Sequence, residues 1–325
     1  MKVKGIALFS GGLDSSLAFK IIEEQGIEVL GITFETPFFS AARARAAAKR
    51  IGLSLTVLNI TEEHLHMLHA PRYGYGKNMN PCIDCHTLML KIAGRRMEEE
   101  GADFVFTGEV LGQRPMSQGK QSLYVVAKNA GYPERIIRPL SARLLPETAP
   151  EREGKVDRTR LLDIQGRGRK QQMEMAVHYG ITSYPAPAGG CLLTDPIFTK
   201  RLRDLFDRHP DHSVRDIELL KVGRHFRFNE TTKAVVGRNA MDNDIIERLA
   251  APGDALIRIA QVPGPTVLVP GGGDEATRLL AARLCARYSD APKDRPVAAY
   301  CLRNGISTAL SIPVLPPEES ARLII

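Results

Sequence analysis

The chain has no G-x-x-x-x-G-K-[ST] run, so a reading as an ordinary kinase or ATPase loses its main support, the lysine that follows a γ-phosphate. Cysteine is scarce: five in 325 residues, unevenly spaced. That excludes a secreted disulfide scaffold and leaves thiol or metal chemistry as the better starting point. Long apolar runs are missing as well. Lys2 and Lys4 precede an apolar stretch that stops at Ser10, too short for a signal peptide or a membrane span, so a cytoplasmic protein with no membrane partner is expected. There is no internal repeat and no low-complexity tract. What is present is ordinary globular composition, 43% hydrophobic, with length enough for two domains. A net charge of +7 favours a polyanionic partner.

The most informative stretch is Ser10-Gly11-Gly12-Leu13-Asp14-Ser15-Ser16, set between the apolar run Ile6 to Phe9 and the helical pattern from Leu17 to Ile22. A strand, a glycine turn and a helix start place successive N–H groups on one anion at the positive end of a helix. Ser10, Ser15 and Ser16 add hydroxyl donors, and Asp14 suits a magnesium ion bridging phosphates. The plainer reading is a tight turn with Asp14 or Ser15 as N-cap. The loop resembles the signature of the PP-loop ATP pyrophosphatases, which cleave ATP to AMP and pyrophosphate and adenylate a carbonyl oxygen. That superfamily includes several amide-forming synthetases and several tRNA thiolation enzymes, so the loop alone does not choose the acceptor.

Strand-like runs at Val3 to Phe9, Glu28 to Phe34, Leu53 to Leu58 and Phe104 to Thr107 alternate with helical patterns at Ser16 to Gln25, Ala41 to Ile51 and Leu88 to Glu100. The alternation predicts a doubly wound, mostly parallel α/β sheet with ligands at the strands' carboxyl ends. Pro139 to Gly168, rich in Pro, Glu and Arg, reads as a surface excursion or flap. A boundary is expected near Asp211 to Val214, giving a first domain over 1–210 and a smaller α+β domain over 211–325. In the latter, runs at Ile217 to Val222, Ala234 to Val236, Ala255 to Ile259, Val267 to Val269 and Val297 to Leu302 read as strands.

Cys82-Ile83-Asp84-Cys85 is joined by Cys191 more than a hundred residues on, in the turn Pro187 to Gly190. Three thiolates suit a [4Fe-4S] cluster with one iron left open. Zinc with His86 as fourth ligand, or a redox or persulfide pair of Cys85 with Cys191, are the alternatives. Cys285 and Cys301, inside apolar runs, read as core hydrophobes. His64, His66 and His69 are spaced by two and three and do not share one helix face as a metal site.

The loop, the C-x-x-C and the distant third cysteine together resemble the cluster-dependent tRNA thiolation enzymes. Thr107-Gly108-Glu109-Val110-Leu111-Gly112-Gln113 with Ser117-Gln118, and then Arg138-Pro139-Leu140, are similar to elements of the tRNA 4-thiouridine synthases. Asn80-Pro81-Cys82 also resembles the tRNA 2-thiouridine synthases, which leaves the thiolated position open. The resemblance covers about residues 1 to 200. It implies a PP-loop, HUP-like fold binding ATP through Ser10, Gly11, Gly12, Asp14, Ser15, Ser16, Phe34, Gly108 and Gln113. It implies catalytic roles for Asp14, Cys85 and Cys191, and a cluster on Cys82, Cys85 and Cys191. The substrate would be tRNA, with sulfur from free sulfide or a cysteine desulfurase; a homodimer is left open. The sequence departs from the 4-thiouridine synthase pattern in lacking a THUMP-containing RNA-binding region, a rhodanese domain and the D-K that follows R-P-L. Lys170 is the candidate for the missing cation near the phosphates. A competing class is a small-molecule ATP-dependent amide ligase, for which no glutaminase domain is visible.

Farther on, five basic residues and one acidic one lie between Lys221 and Arg238 on what reads as a hairpin. Val236-Gly237-Arg238-Asn239 with Asn243-Asp244 resembles the RNA-binding domain of NFACT proteins over about residues 213 to 302. That implies phosphate contacts from Lys221, Arg224, Arg227, Arg238 and Asn239. The plainer reading is a solvated β-face with Asn239 and Asn243 capping turns.

Overall fold

The computed structural model describes residues 2–186 and 190–325. The chain divides into two units, residues 1–194 and 195–325. The first follows a βα alternation: Lys4–Leu8 (β1), Leu13–Glu23 (α1), Glu28–Glu35 (β2), Ala42–Ile51 (α2), Leu55–Asn59 (β3), Thr61–His69 (α3), Cys82–Glu99 (α4), Phe104–Thr107 (β4), Lys120–Ala130 (α5), Ile136–Ile137 (β5), Ala149–Arg152 (α6) and Lys170–His178 (α7). The strands pair in the order β3-β2-β1-β4-β5, all parallel. Successive residues of β1 feed opposite layers: Ala7 and Phe9 pack with α1 and α2, and Ile6 packs with α4 and α5. A sheet buried on both faces needs strands apolar at every position, and Phe104-Val105-Phe106 of β4 is fully buried. The chain leaves β1 towards β2 on one side and returns to β4 on the other, so a crevice opens at the carboxyl ends of β1 and β4.

The segment Pro139 to Gly168 is not the surface flap its composition predicts. Leu140, Ser141, Ala142, Val156, Leu161 and Ile164 are buried, most of them in the layer that also holds α1. Its end returns to the turn after β4, where Gly166 N donates to Leu111 O at 2.7 Å. The apolar residues are spread singly among charged ones, which hides them from any periodicity test.

The second unit contains Pro196–Arg208 (α8), Val214–Leu219 (α9), Arg224–Arg227 (β6), Lys233–Val236 (β7), Ala240–Leu249 (α10), Ala255–Ile259 (β8), Val267–Val269 (β9), Glu275–Arg287 (α11), Val297–Arg303 (β10), Ile306–Ile312 (β11) and Pro317–Leu323 (α12). Its sheet runs β11-β10-β8-β9-β7-β6 with every pair antiparallel. Ala234 and Val236 of β7 join the layer under α11, while Val235 joins α9 and α10 on the other face. Cys285 and Cys301 are buried in this core, as expected.

Two expectations are corrected here. The division falls before α8 and not near Asp211 to Val214, because α8 is tied to the second unit: Arg201 donates to Leu220 O at 2.9 Å and Gly223 O at 3.1 Å, and Asp204 pairs with Arg227. Ile217 to Val222 is no strand. Ser213 and Asp216 form a reciprocal capping box that starts α9, a signal stronger than the short apolar run it precedes. Among the described residues, no helix is long and apolar enough to cross a membrane.

Candidate functional site

The loop after β1 forms the expected strand–turn–helix. Phe9 N donates to Ile32 O at 2.8 Å, extending the strand, and Gly11 then turns with φ +75°. A side chain at Gly11 would also meet the Ala44 backbone at 2.7 Å, so the start of α2 is packed hard on the turn. Gly12 caps α1 in an extended conformation without a side chain, leaving the first-turn amides directed at the crevice. The hydroxyls of Ser15 and Ser16 both donate to Gly12 O, at 2.9 and 3.0 Å, and Ser10 Oγ donates to Ser15 Oγ at 3.3 Å. From the other side Gly108, just past β4, lies so close that a Cβ there would sit 2.4 Å from Ser15 N. The two halves of the crevice are thus in backbone contact.

Asp14 points one carboxylate oxygen, Oδ1, into buried space with no hydrogen-bond partner. Burial raises its pKa, and Arg169, Gln113, Arg114 and Gln172 oppose the shift. Gln172 is 0% exposed, and its amide lies near enough to Asp14 to lower its pKa without forming a well-shaped hydrogen bond at either end. Arg169 Nε and Gln118 Oε1 are orphaned too. Buried polar groups are normally satisfied, so Asp14 with Gln172 and Arg169, both of which act on it, marks a site shaped for a polar ligand. Asp14 fits a divalent cation there, as a hard oxygen donor with its valence open.

Glu109 is the opposite case. It accepts from Arg138 Nε at 2.9 Å and Thr107 Oγ1 at 3.1 Å, and pairs with His86 Nδ1 at 2.9 Å. Burial alone would raise its pKa, but the Arg138 guanidinium and His86 outweigh it and hold the carboxyl at about 2. His86 is thereby oriented through its Nδ1 towards Glu109.

The cysteine turn sits at the start of α4. Asp84 accepts from the backbone N–H of Arg72 and of Tyr73, at 3.1 and 3.0 Å, which folds the preceding loop over Cys82 and Cys85. Asn80 Nδ2 donates to Cys82 Sγ at 3.3 Å. Cys85 Sγ lies 3.6 Å from His64 Nε2, and His64 is buried between the rings of Phe38 and Phe39. Burial drives His64 down to about 4, so it is neutral at physiological pH. Sequence reasoning missed His64 as a neighbour of the cysteines, because the signal lay in α3, an element with little apolar pattern. Phe38 O accepts from Leu192 N at 2.9 Å, which brings Cys191 to the same place. The residues Pro187 to Gly189 of its turn lie outside the described residues.

The three sulfurs feel one another. Burial is the main cause that raises the Cys85 thiol well above its usual range, with Cys191 and Cys82 adding to it. Cys191 is pushed up to about 11 by burial, with Cys82 raising it further and Arg114 opposing. Arg114 opposes the upward shift of both Asp14 and Cys191. No disulfide forms among the cysteines. Among the described residues no group of three or more His, Cys, Asp or Glu is arranged to hold a single metal ion. The donor chemistry, three thiols whose thiolate forms would repel one another, fits a thiophilic group whose positive charge would offset that repulsion.

Comparison with known proteins finds two family matches. Residues 1–143 match the family described as thiamine biosynthesis protein (ThiI), and residues 223–322 match the NFACT protein RNA binding domain. Residues 1–143 are thus similar to the ThiI family over less than half of the chain. The tRNA-specific 2-thiouridylase MnmA of Clostridium acetobutylicum is 33% identical over 127 residues, 33% of this chain and 36% of that protein. The probable tRNA sulfurtransferase of Caldanaerobacter subterraneus is 30% identical over 146 residues, 42% of this chain and 36% of that one. The chain spans about a third of the length of these relatives. A crystal structure of a 4-thiouridine synthetase–RNA complex with bound ATP aligns at TM-score 0.42 and 22% identity, over 66% of this chain and 52% of that one.

Within the first unit, Lys170 does not reach the phosphate loop. Its side chain is 91% exposed and faces Glu174 at 4.0 Å. Gln172 and Ala176 define the buried face of α7, and Arg169, three residues before Gln172, shares that face while Lys170 is rotated off it. Arg169, and not Lys170, acts on the Asp14 carboxylate. Phe34 is buried in the sheet, so only its backbone is available to a ligand, and Gln113 is half-buried beside Asp14. Met79 packs inside, whereas Tyr73 and Tyr75 stay exposed.

The expected basic face of the NFACT-type unit is less open than its sequence implies. The hairpin exists, β6 with β7, but its cations are engaged. Lys221 donates to Glu218 at 2.6 Å, Arg227 pairs with Asp204, Arg238 donates to Asp242 at 2.6 Å, and Arg224 lies 4.9 Å over the Tyr288 ring. Asn239 caps α10 by accepting from Asp242 N. Each pair sits four residues or fewer apart or joins two elements, a geometry that charge counting along the chain cannot register.

Proposed function

We propose that this protein is an ATP-dependent tRNA sulfurtransferase, which adenylates a uracil carbonyl oxygen and replaces it with sulfur, the 4-position favoured over the 2-position. The observation that supports this reading is the packing of both loops on the start of α2: a Cβ at Gly11 of the phosphate loop would meet the Arg43 backbone at 2.7 Å, and one at Gly190, next to Cys191, would meet the Arg43 guanidinium at 3.3 Å. The first-turn amides of α1, with Ser10, Ser15 and Ser16, would hold the phosphates, and Arg169 would neutralise the charge that builds on them. The uracil oxygen attacks the α-phosphorus, the bond to pyrophosphate breaks, and an O-adenylate forms. A sulfur nucleophile delivered at the cysteine turn adds to the same carbon, and AMP leaves with the oxygen. Asp14 would hold magnesium, which supplies charge neutralisation on the phosphates. Cys82, Cys85 and Cys191 would hold a [4Fe-4S] cluster, which supplies a site for binding and activating sulfur. His64, neutral at physiological pH, lies against the Cys85 sulfur without adding charge there. The NFACT-type unit would supply the grip on tRNA.

The test is to incubate anaerobically purified, cluster-reconstituted protein with ATP, magnesium, sulfide and unthiolated tRNA, then identify thionucleosides by mass spectrometry after digestion. 4-Thiouridine is expected, and 2-thiouridine would move the site to the other carbonyl. Cys85→Ser should lose at least about 100-fold in product while ATP binding is retained, as expected for a sulfur-handling group removed from a site whose binding loop is intact. No thionucleoside from protein that still binds ATP would redirect the reading to a small-molecule amide ligase.

A further inference from the structure

The second unit holds a polar cavity of about 520 Å3 that no step above uses, lined among others by Arg208, His209, His212, Arg215, Asp216 and Lys233. Its arginines already have carboxylates. Arg208 pairs with Asp204 at 3.6 Å and with Glu230, and Arg215 pairs with Asp216 at 3.7 Å and with Asp254. Lys233 does not: it is 4% exposed, and its amine has no hydrogen-bond partner. Asp204 and Asp216 act on it from a distance, as does Arg227 with the opposite sign. Burial lowers the Lys233 amine to about 8, so much of it still carries its charge at neutral pH.

A buried ammonium with empty donors is costly, and an apolar side chain of the same length would fill the space more favourably. The three donors become satisfied if an anion with several acceptor oxygens enters the cavity, and the lysine's flexible stem allows the amine to turn to it. The cavity is large enough for one nucleotide unit.

We propose that this cavity binds a phosphate group, with Lys233 as the cation that completes its hydrogen bonds on the ligand. The phosphate is that of an RNA strand or a free phosphate ion. The RNA source rests on the tRNA reading above; the site itself does not.

The experiment uses the full chain, with Lys233→Met and Lys233→Arg as variants and melting curves to confirm that each is folded. A single-stranded RNA oligonucleotide is titrated by fluorescence anisotropy over a range of salt. Lys233→Met is expected to weaken binding about ten-fold and to reduce the slope of log affinity against log salt by about one, the signature of one lost phosphate contact, and Lys233→Arg is expected to restore both. In parallel, inorganic phosphate is titrated at constant ionic strength while the Lys233 side-chain NMR signal is followed. A shift with phosphate but no RNA effect assigns the site to the free ion and separates this proposal from the tRNA reading. Unchanged RNA affinity and slope in Lys233→Met, together with no phosphate-induced shift in the wild type, would overturn it. Failure of the thiolation assay alone leaves the result untouched.

Discussion

Glu109 and Asp14 are carboxylates that follow neighbouring strands of one sheet, yet the fold treats them differently. Every oxygen of Glu109 is engaged, by Arg138, His86 and Thr107, and its charge is locked on. Asp14 keeps Oδ1 without a well-formed hydrogen bond in buried space, beside the amide of Gln172, which is no better satisfied. A satisfied buried network rigidifies a fold, whereas an unsatisfied one lowers stability unless a ligand completes it. The first is therefore scaffold and the second is site, although both use the same residue types and both follow a strand.

The largest expected effect is on the scaffold side. Arg138→Met leaves Glu109 as a buried charge without its main partner, and breaking such a pair costs about 3–5 kcal/mol. Denaturant unfolding at neutral pH would show it. The pH dependence sharpens the point. A carboxyl whose folded pKa is depressed contributes stability that is full above its unfolded value, roughly 4.3, and is lost as pH falls towards the folded one, about 2. Wild type should lose stability progressively from about pH 5 down to pH 2 through this group, and Arg138→Met should lack that part of the acid limb. An unchanged acid limb in the variant would mean that Glu109 is not held by Arg138.

On the site side, Arg169→Ala should reverse the pattern. Removal of one charge-assisted contact to the phosphates costs about 1.5–3 kcal/mol of binding, or roughly ten- to a hundred-fold in ATP affinity by calorimetry. Folding stability should change by less than about 1 kcal/mol, since Arg169 Nε has no partner to lose. A smaller effect of opposite sign is expected for Gln172→Leu. Burying an unpaired amide costs about 1–3 kcal/mol, so its replacement by an apolar group should raise the melting temperature by about 2–4 °C while weakening ATP binding. If the melting temperature fell, the amide would have to be counted as scaffold.

How much of this was legible in the sequence follows the same division. The phosphate loop, the parallel sheet and the cysteine turn are local patterns: a glycine turn between two periodic runs, and a C-x-x-C at a helix start. They could be read because each is decided by residues within one turn of one another. The partners of Asp14 were not legible in this way. Gln172 and Arg169 come from α7, beyond a segment whose single buried residues, Leu140, Val156 and Ile164, carry no period. The basic hairpin misled for a related reason, since Asp204, which engages Arg227, lies in a helix that charge counting from Lys221 onward leaves out.

Lys170 gives the smallest effect and the sharpest test of that lesson. It stands one residue after Arg169, and in sequence the two are equivalent candidates for a cation at the phosphates. Helix geometry separates them: a step of one residue turns the side chain by about 100°, so only one of the pair can follow the buried face set by Gln172 and Ala176. Lys170 faces solvent and Glu174 at 4.0 Å, an exposed i, i+4 pair worth at most about 0.5 kcal/mol. Lys170→Ala should thus leave ATP affinity within about twofold and stability within about 0.5 kcal/mol. Measured beside Arg169→Ala under the same conditions, the two variants differ by one position and one helix face. Equal losses of ATP affinity in both would mean that α7 turns its other side to the ligand, and that the orphaned atoms around Asp14 belong to the scaffold after all.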